Sequence, residues 1–315
     1  MIDRDDEPLP GVEIETIAVF APGGYEVDSL RLSQVERHIE AAGCRLVTAL
    51  SDRRSGRFSG TDEERLHWLQ AVIDDPTIAI AMALRGGYGA TRLLSSIDFD
   101  AMAASVRSTG KRFVGHSDFT AISLGLLSRT GALSFAGPMA GYDFGGPAMD
   151  PYTALHFWRA MREARVDVTF EATGSDALEV EGTLWGGNLT MLCSLIGTPW
   201  MPAIEGGVLF VEDINEQPYR IERMMIQLQQ AGILDRQKLI LCGDFSGYRV
   251  TDYDNGYGLA EALAYVREAT TTPIVGGLPF GHCPQKLTLA VGARAEVDIA
   301  GGRCQLRQRW DLATT

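Results

Sequence analysis

Cysteine is scarce and unpatterned in this chain. Its 315 residues hold five, Cys44, Cys193, Cys242, Cys283 and Cys304. No two are spaced C-x-x-C, which excludes a zinc ribbon or a dithiol redox motif. An odd, scattered set reads as reduced thiols of an intracellular protein. No apolar run approaches the ~20 residues that span a bilayer. The opening MIDRDDEPLP is acidic and polar, unlike a secretory signal. Positive charge is also short: 28 Lys and Arg stand against 41 Asp and Glu, a net charge of -13. Such a surface repels a phosphate backbone, which argues against a nucleic-acid partner. There is no acidic tail, internal repeat or low-complexity segment. The expectation is a soluble, cytoplasmic protein that meets neither membrane nor nucleic acid.

What the chain does have is apolar material, 45% of its residues, enough for the cores of two domains. The first half alternates in type. TIAVFAPGG (16–24) reads as a strand stopped by Pro-Gly-Gly, 27–43 as a helix ended by Gly43, and 44–50 as a strand. Thr61 and Glu64 form a capping-box pattern before the next helix. TIAIAMAL (77–84) has the unbroken apolar character of a strand buried on both faces. RFVG and LSFAG (133–137) follow as further strands. This alternation predicts a parallel sheet covered on both sides. The second half changes texture. A connecting helix (152–164) precedes VDVTFEA and ALEVEGTLWGG, which alternate like antiparallel strands. GVLFVEDI and KLILCGDF read as buried strands, Pro218 opens a helix, and 286–309 is strand-rich. The division expected is 1–150, a connecting segment at 151–178, and 179–315.

In open parallel sheets, ligands bind at the carboxyl ends of the strands. Two strand ends here carry chemistry, ALRGGYGATR and FVGHSDFT. The glycines could cradle an anion with backbone N–H groups, although no Lys-Ser/Thr follows them and a P-loop is excluded. Ser117 is either the cap of the helix that follows or a nucleophile on a sharp turn. The Gly expected two residues after the serine of an α/β-hydrolase elbow is absent. A serine nucleophile needs a base. His38 and His67 fall on the polar sides of surface helices, and His156 lies in the connecting helix. His116, next to Ser117, points to the opposite face of an extended segment. Elimination leaves His282, in a Gly/Pro-rich loop. The acid that would orient it lies among Glu212, Asp213 and Glu216, at the end of an apolar strand.

Taken in order, RGGYGATRLL, GHSDFTAI, EGTLWGGNLTMLCSLIGTPW, LFVEDINEQPYRIERM and GLPFGH resemble the serine L,D-carboxypeptidases of bacterial cell-wall recycling. The likeness runs over about residues 16 to 292. It implies an N-terminal α/β domain like that of class I glutamine amidotransferases, with a parallel sheet. It also implies a smaller, strand-rich, swivelling C-terminal α/β domain. The implied activity is release of terminal D-Ala from a murein tetrapeptide, or from its sugar- or nucleotide-linked forms, at an L-centre on diaminopimelate or Lys. The implied triad is Ser117, His282 and Glu212, with no metal or other cofactor, in a homodimer. The N–H groups of Asp118 and of Gly86 or Gly87 would then form an oxyanion hole. Arg85 and Arg220 would suit substrate carboxylates, and Trp185 could wall the pocket. A related branch cleaves aminoacyl-nucleotide amides of microcin type with the same triad. An α/β-hydrolase, an anion sensor built on the GGYG turn, and a cysteine hydrolase using Cys283 or Cys242 are the remaining readings.

Overall fold

The computed structural model describes residues 16–175 and 177–313. The opening decapeptide judged for targeting lies outside the described residues. The first half forms strands β1 (Thr16–Phe20), β2 (Arg45–Ala49), β3 (Ile80–Ala83), β4 (Arg112–Gly115) and β5 (Ser134–Ala136). Between and after them come helices α1 (Ser29–Ala41), α2 (Asp62–Asp74), α3 (Phe99–Thr109), α4 (Thr120–Thr130) and α5 (Pro151–Arg162). The expected capping box at Thr61 and Glu64 starts α2. Every residue of β1, β3 and β4 is buried. Helices therefore cover both faces, which is why these strands read as unbroken apolar runs.

The second half supplies β6 (Arg165–Glu171), β7 (Ala177–Asn188), β8 (Val208–Ile214), β9 (Leu239–Ser246), β10 (Ile274–Gly276), β11 (Leu289–Val291), β12 (Arg294–Ala300) and β13 (Arg303–Arg309). Its helices are α6 (Leu189–Leu195), α7 (Pro218–Gln230) and α8 (Leu259–Ala269). Both sheets are mixed. The first has the order β11-β5-β4-β3-β1-β2, and the second β10-β9-β8-β7-β12-β13-β6.

One expectation needs correction. The first sheet is parallel through β2, β1, β3, β4 and β5, but its sixth strand, β11, comes from the far end of the chain and runs antiparallel to β5. No local pattern announces so remote a partner. β6 and β7 are antiparallel strands, as their alternation predicts, each paired with a strand other than its chain neighbour. They flank the β12–β13 hairpin on opposite sides, and the last part of β7 turns to pair parallel with β8. Residues of the segment 151–178 thus supply an edge strand of the second sheet. The result places the carboxyl ends of β3 and β4 beside the end of β8 and the loop after β10.

Candidate active site

The chain leaves β4 at Gly115. An added Cβ there would stand 2.9 Å from both Ala83 Cβ and Phe119 Cγ, so only glycine lets the strand end pack this closely. His116 is extended, and Ser117 then takes φ +60°. A non-glycine residue in the left-handed region costs on the order of 1–3 kcal/mol. That strain turns the chain sharply into α4 and presents the Ser117 side chain at the strand–helix junction. Phe119 occupies the place of the missing elbow glycine. It is buried and packs edge-on against Phe20, ring centroids 6.2 Å apart.

The glycine turn after β3 faces this serine. Gly87 has φ +80°, and the Gly86 carbonyl accepts from Gly24 N–H at 3.2 Å. Because a trans peptide sets its N–H opposite its C=O, the Gly87 N–H is turned away from Gly24. A Cβ built on Gly86 would sit 2.7 Å from Ser117 Oγ and 3.6 Å from the Asp118 nitrogen. Gly86→Ala is therefore expected to push the serine aside. We expect kcat to fall about 100-fold with the thermal midpoint little changed, since displacements of about 1 Å have effects of this size. Steady-state kinetics beside thermal unfolding checks this.

Asp118 ties the two turns together. Its Oδ2 accepts from Ala90 N–H at 2.7 Å. Burial pushes its carboxyl up to about 6, against the Ala90 and Gly89 N–H groups and the charges of Arg65 and Arg57, which favour the carboxylate. The unfolded value lies near 3.8. Between these two values the folded state holds more protons. This group's contribution to stability is thus complete below about 3.8 and is lost as pH rises through about 6. Urea unfolding from pH 4 to 7 should show Asp118→Asn losing about 2–3 kcal/mol less than the wild type over that interval.

His282 reaches the site because Gly281, at φ +140°, has no side chain. A Cβ there would press within 2.9 Å of Asp244 Cβ and 3.2 Å of Glu212 Cβ. His282 Nδ1–H donates to Glu212 Oε2 at 2.7 Å. Glu212 is wholly buried. It sits where the β8–β9 register slips between Val211 and Asp213. Such a bulge re-aims a side chain, and here it turns two consecutive acids, Glu212 and Asp213, into the interior.

Asn188, which the sequence did not single out, joins them. Its Nδ2 donates to Glu212 Oε1 at 3.2 Å and to Asp213 Oδ1 at 3.0 Å, while its Oδ1 caps α6. The one available signal was its place after two glycines. Gly187 needs to be glycine because a Cβ would meet Thr120 Oγ1 at 2.5 Å.

Ser117, Gly86, Gly87, Arg85 and His282 line one cleft of about 670 Å³. Ile214 and Asn215, from the motif that carries Glu212, also line it, and Glu26, Val27, Asp28, Arg31, Met139 and Tyr142 complete it from segments that carry no motif. Arg85 also donates to the Tyr25 carbonyl at 2.9 Å. Glu212 and Asp118 stand behind this lining, and the two side chains expected to touch substrate, Trp185 and Arg220, do not line it either. Trp185 is fully buried and its indole N–H donates to Gln237 Oε1 at 2.9 Å. Arg220 pairs with Glu216 one helical turn away. The thiolate form is disfavoured at both candidate cysteines: burial pushes Cys242 up to about 12 and Cys283 up to about 11, the latter helped by the Asp244 charge. Among the described residues no group of three or more His, Cys, Asp and Glu could hold a metal ion. Nor is any helix among them long and apolar enough to cross a membrane.

Residues 17–137 match the LD-carboxypeptidase N-terminal domain, and residues 181–297 the LD-carboxypeptidase C-terminal domain. The chain belongs to the LD-carboxypeptidase family. Among its relatives in this enzyme family is a probable murein peptide carboxypeptidase of Bacillus subtilis, 31% identical over 91% of this chain and 89% of that protein. The microcin C7 self-immunity protein of Escherichia coli is 26% identical over 86% of each chain. The crystal structure of a muramoyltetrapeptide carboxypeptidase from Oxalobacter formigenes superposes with a TM-score of 0.88. It is 44% identical, covering 94% of this chain and 99% of that one. The LD-carboxypeptidase fold thus spans nearly the whole chain, both sheets included.

Proposed function

We propose that this enzyme is a serine L,D-carboxypeptidase that releases the terminal D-Ala of murein tetrapeptides, with Ser117 as nucleophile, His282 as base and Glu212 as its orienting acid. The observation that carries the reading is the strained Ser117 sharing one cleft with an imidazole whose Nδ1 proton is held by a buried carboxylate. With Nδ1 protonated, Nε2 presents a lone pair. It takes the Ser117 proton as Oγ attacks the scissile carbonyl. The tetrahedral oxyanion is met by the N–H of Asp118 and one N–H from Gly86–Gly87, donors each worth about 2.7–4 kcal/mol in comparable sites. Collapse returns the proton to the departing D-Ala amine and leaves an acyl-enzyme. Water, activated by the same imidazole, then hydrolyses it.

The cleft's charges suit such a peptide. Arg85 offers a guanidinium group for a substrate carboxylate, beside a loose cluster in which Arg31 pairs with Glu26 at 3.9 Å and with Asp28 at 3.8 Å. Beyond His282, Tyr142 is the one aromatic ring lining it among the described residues, which makes a poor seat for a nucleobase. The resemblance further implies work in the cytoplasm as a homodimer. D-Ala release from a purified murein tetrapeptide is the test. Release by the wild type is expected. No release, together with cleavage of an aminoacyl-nucleotide amide, would replace this reading with the self-immunity type of reaction.

A further inference from the structure

His282 stands on a loop of the second half of the chain, yet it must meet a serine held by the first. Two contacts fasten that loop across the gap. Thr153 Oγ1, buried in the first turn of α5, donates to the Pro284 carbonyl at 2.7 Å and accepts from Lys286 N–H at 2.9 Å. Beyond it, the Lys286 ammonium, with a fully buried side chain, pairs with the Asp143 carboxylate, whose side chain is 5% exposed. Asp143 belongs to a wide helical turn, Ala140–Phe144, whose Tyr142 lines the cleft. Its other oxygen accepts from Met139 N–H at 2.7 Å. The Lys286 ammonium also lies over the Tyr142 ring, 5.0 Å from its centroid. A buried pair of this kind is a weak source of net stability, because desolvation offsets most of the attraction. Its placement therefore calls for another explanation.

The surroundings of the imidazole supply one. The ring of His116 packs edge-on against that of His282, centroids 5.0 Å apart, and donates its Nδ1–H to the Gly137 carbonyl at 2.8 Å. Burial, then the Lys286 and His282 charges, hold His116 well below the usual histidine range, so this neighbour is neutral. Glu212 faces His282 from β8, Asp244 packs against Gly281 from β9, and Cys283 adjoins it as a neutral thiol. Asp143 and His282 lie within each other's electrostatic reach. Lys286 and Asp143 thus stand near the ring as a matched cation and anion.

We propose that the buried Lys286–Asp143 pair is the positioning element for His282. It pins the loop bearing the imidazole to the cleft wall at 139–144, and it keeps the charge beside the ring balanced. The inference rests on the reading of His282 as the base. The test is an NMR titration of the His282 ring in the full-length protein, assigned by its absence in His282→Ala. Kinetics on the murein tetrapeptide run beside it. Lys286→Met removes the cation and should move the His282 titration to higher pH. Asp143→Asn removes the anion and should move it to lower pH. In both variants kcat should fall at least tenfold, with KM within about threefold. The double variant Lys286→Met/Asp143→Leu replaces the pair with apolar groups and should recover the thermal midpoint while kcat stays low. Shifts of the same sign, no shift, or full recovery of kcat in the double variant would overturn the proposal. A wild type without turnover would refute the carboxypeptidase reading instead, and the titration would still decide the role of the pair.

Discussion

Ser117→Ala is expected to lower kcat for D-Ala release by about 10⁴–10⁶-fold, the loss seen when a serine nucleophile acting with its base is removed. The residual rate would come from the oxyanion donors and from binding. The fold should persist, because the side chain makes no hydrogen bond on which the turn depends. Indeed the strain at φ +60° predicts a further result. Ser117→Gly should be just as inactive yet more stable, by about 1 kcal/mol, since glycine enters the left-handed region without the Cβ penalty. Single-turnover kinetics and thermal unfolding of the two variants check both statements. Activity within tenfold of wild type in either variant would remove Ser117 from the mechanism. A Ser117→Gly protein less stable than wild type would mean that the backbone strain is not stored there.

The second large effect concerns Glu212. Glu212→Gln should reduce kcat by about 10³–10⁴-fold, although the replacement is nearly the same size. The reason lies in Asn188. Its Nδ2 donates to Glu212 Oε1 while His282 Nδ1–H donates to Oε2. A carboxylate accepts both bonds. An amide cannot, because it has a single carbonyl oxygen. With that oxygen held by Asn188, the amide NH₂ faces His282 and must donate to Nδ1. The imidazole proton then moves to Nε2, the atom that has to accept from Ser117. Raising the pH does not restore a base in the wrong tautomer, so the pH profile of kcat should stay low throughout. Asn188→Ala in the same background frees the amide to flip and should recover part of the loss. A Glu212→Gln enzyme within tenfold of wild type would show that the carboxylate neither fixes the imidazole tautomer nor stabilises the imidazolium to any catalytic effect.

Much of this was legible before any coordinates. The unbroken apolar run at β3 announced a strand covered on both faces, and β1 and β4 were legible as strands. Thr61 and Glu64 marked the start of α2, and Pro218 opened α7. The candidate residues Ser117 and His282 emerged because each sits where a strand gives way to a loop or helix, and because the other histidines belong to helices or face the wrong way. Glu212 was less well determined. Strand alternation assigns opposite faces to Glu212 and Asp213, and nothing local reveals the register slip that buries both. Asn188 was hidden for a similar reason, since an asparagine beginning a helix is explained by capping alone. Trp185 and Arg220 show the converse. A tryptophan beside a motif and an arginine opening a helix look like ligand contacts, but one finds Gln237 in the core and the other finds Glu216 a turn away.

Periodicity, capping and breaker residues act within a few turns of chain, so the sequence by itself determined the α/β alternation, the strand-to-helix junction at Ser117 and the loop that offers a histidine. Partnerships between distant segments depend on which surfaces pack together. Only the tertiary structure decided that β11 would close the first sheet, that a bulge in β8 would aim Glu212 at His282, and that Thr153 and Asp143 would hold the His282 loop from across the molecule. The cleft's charges came from the same source. Glu26, Arg31 and Tyr142 belong to no motif, and they line the site because long-range packing brings α1 and the turn after β5 to the mouth of the sheet.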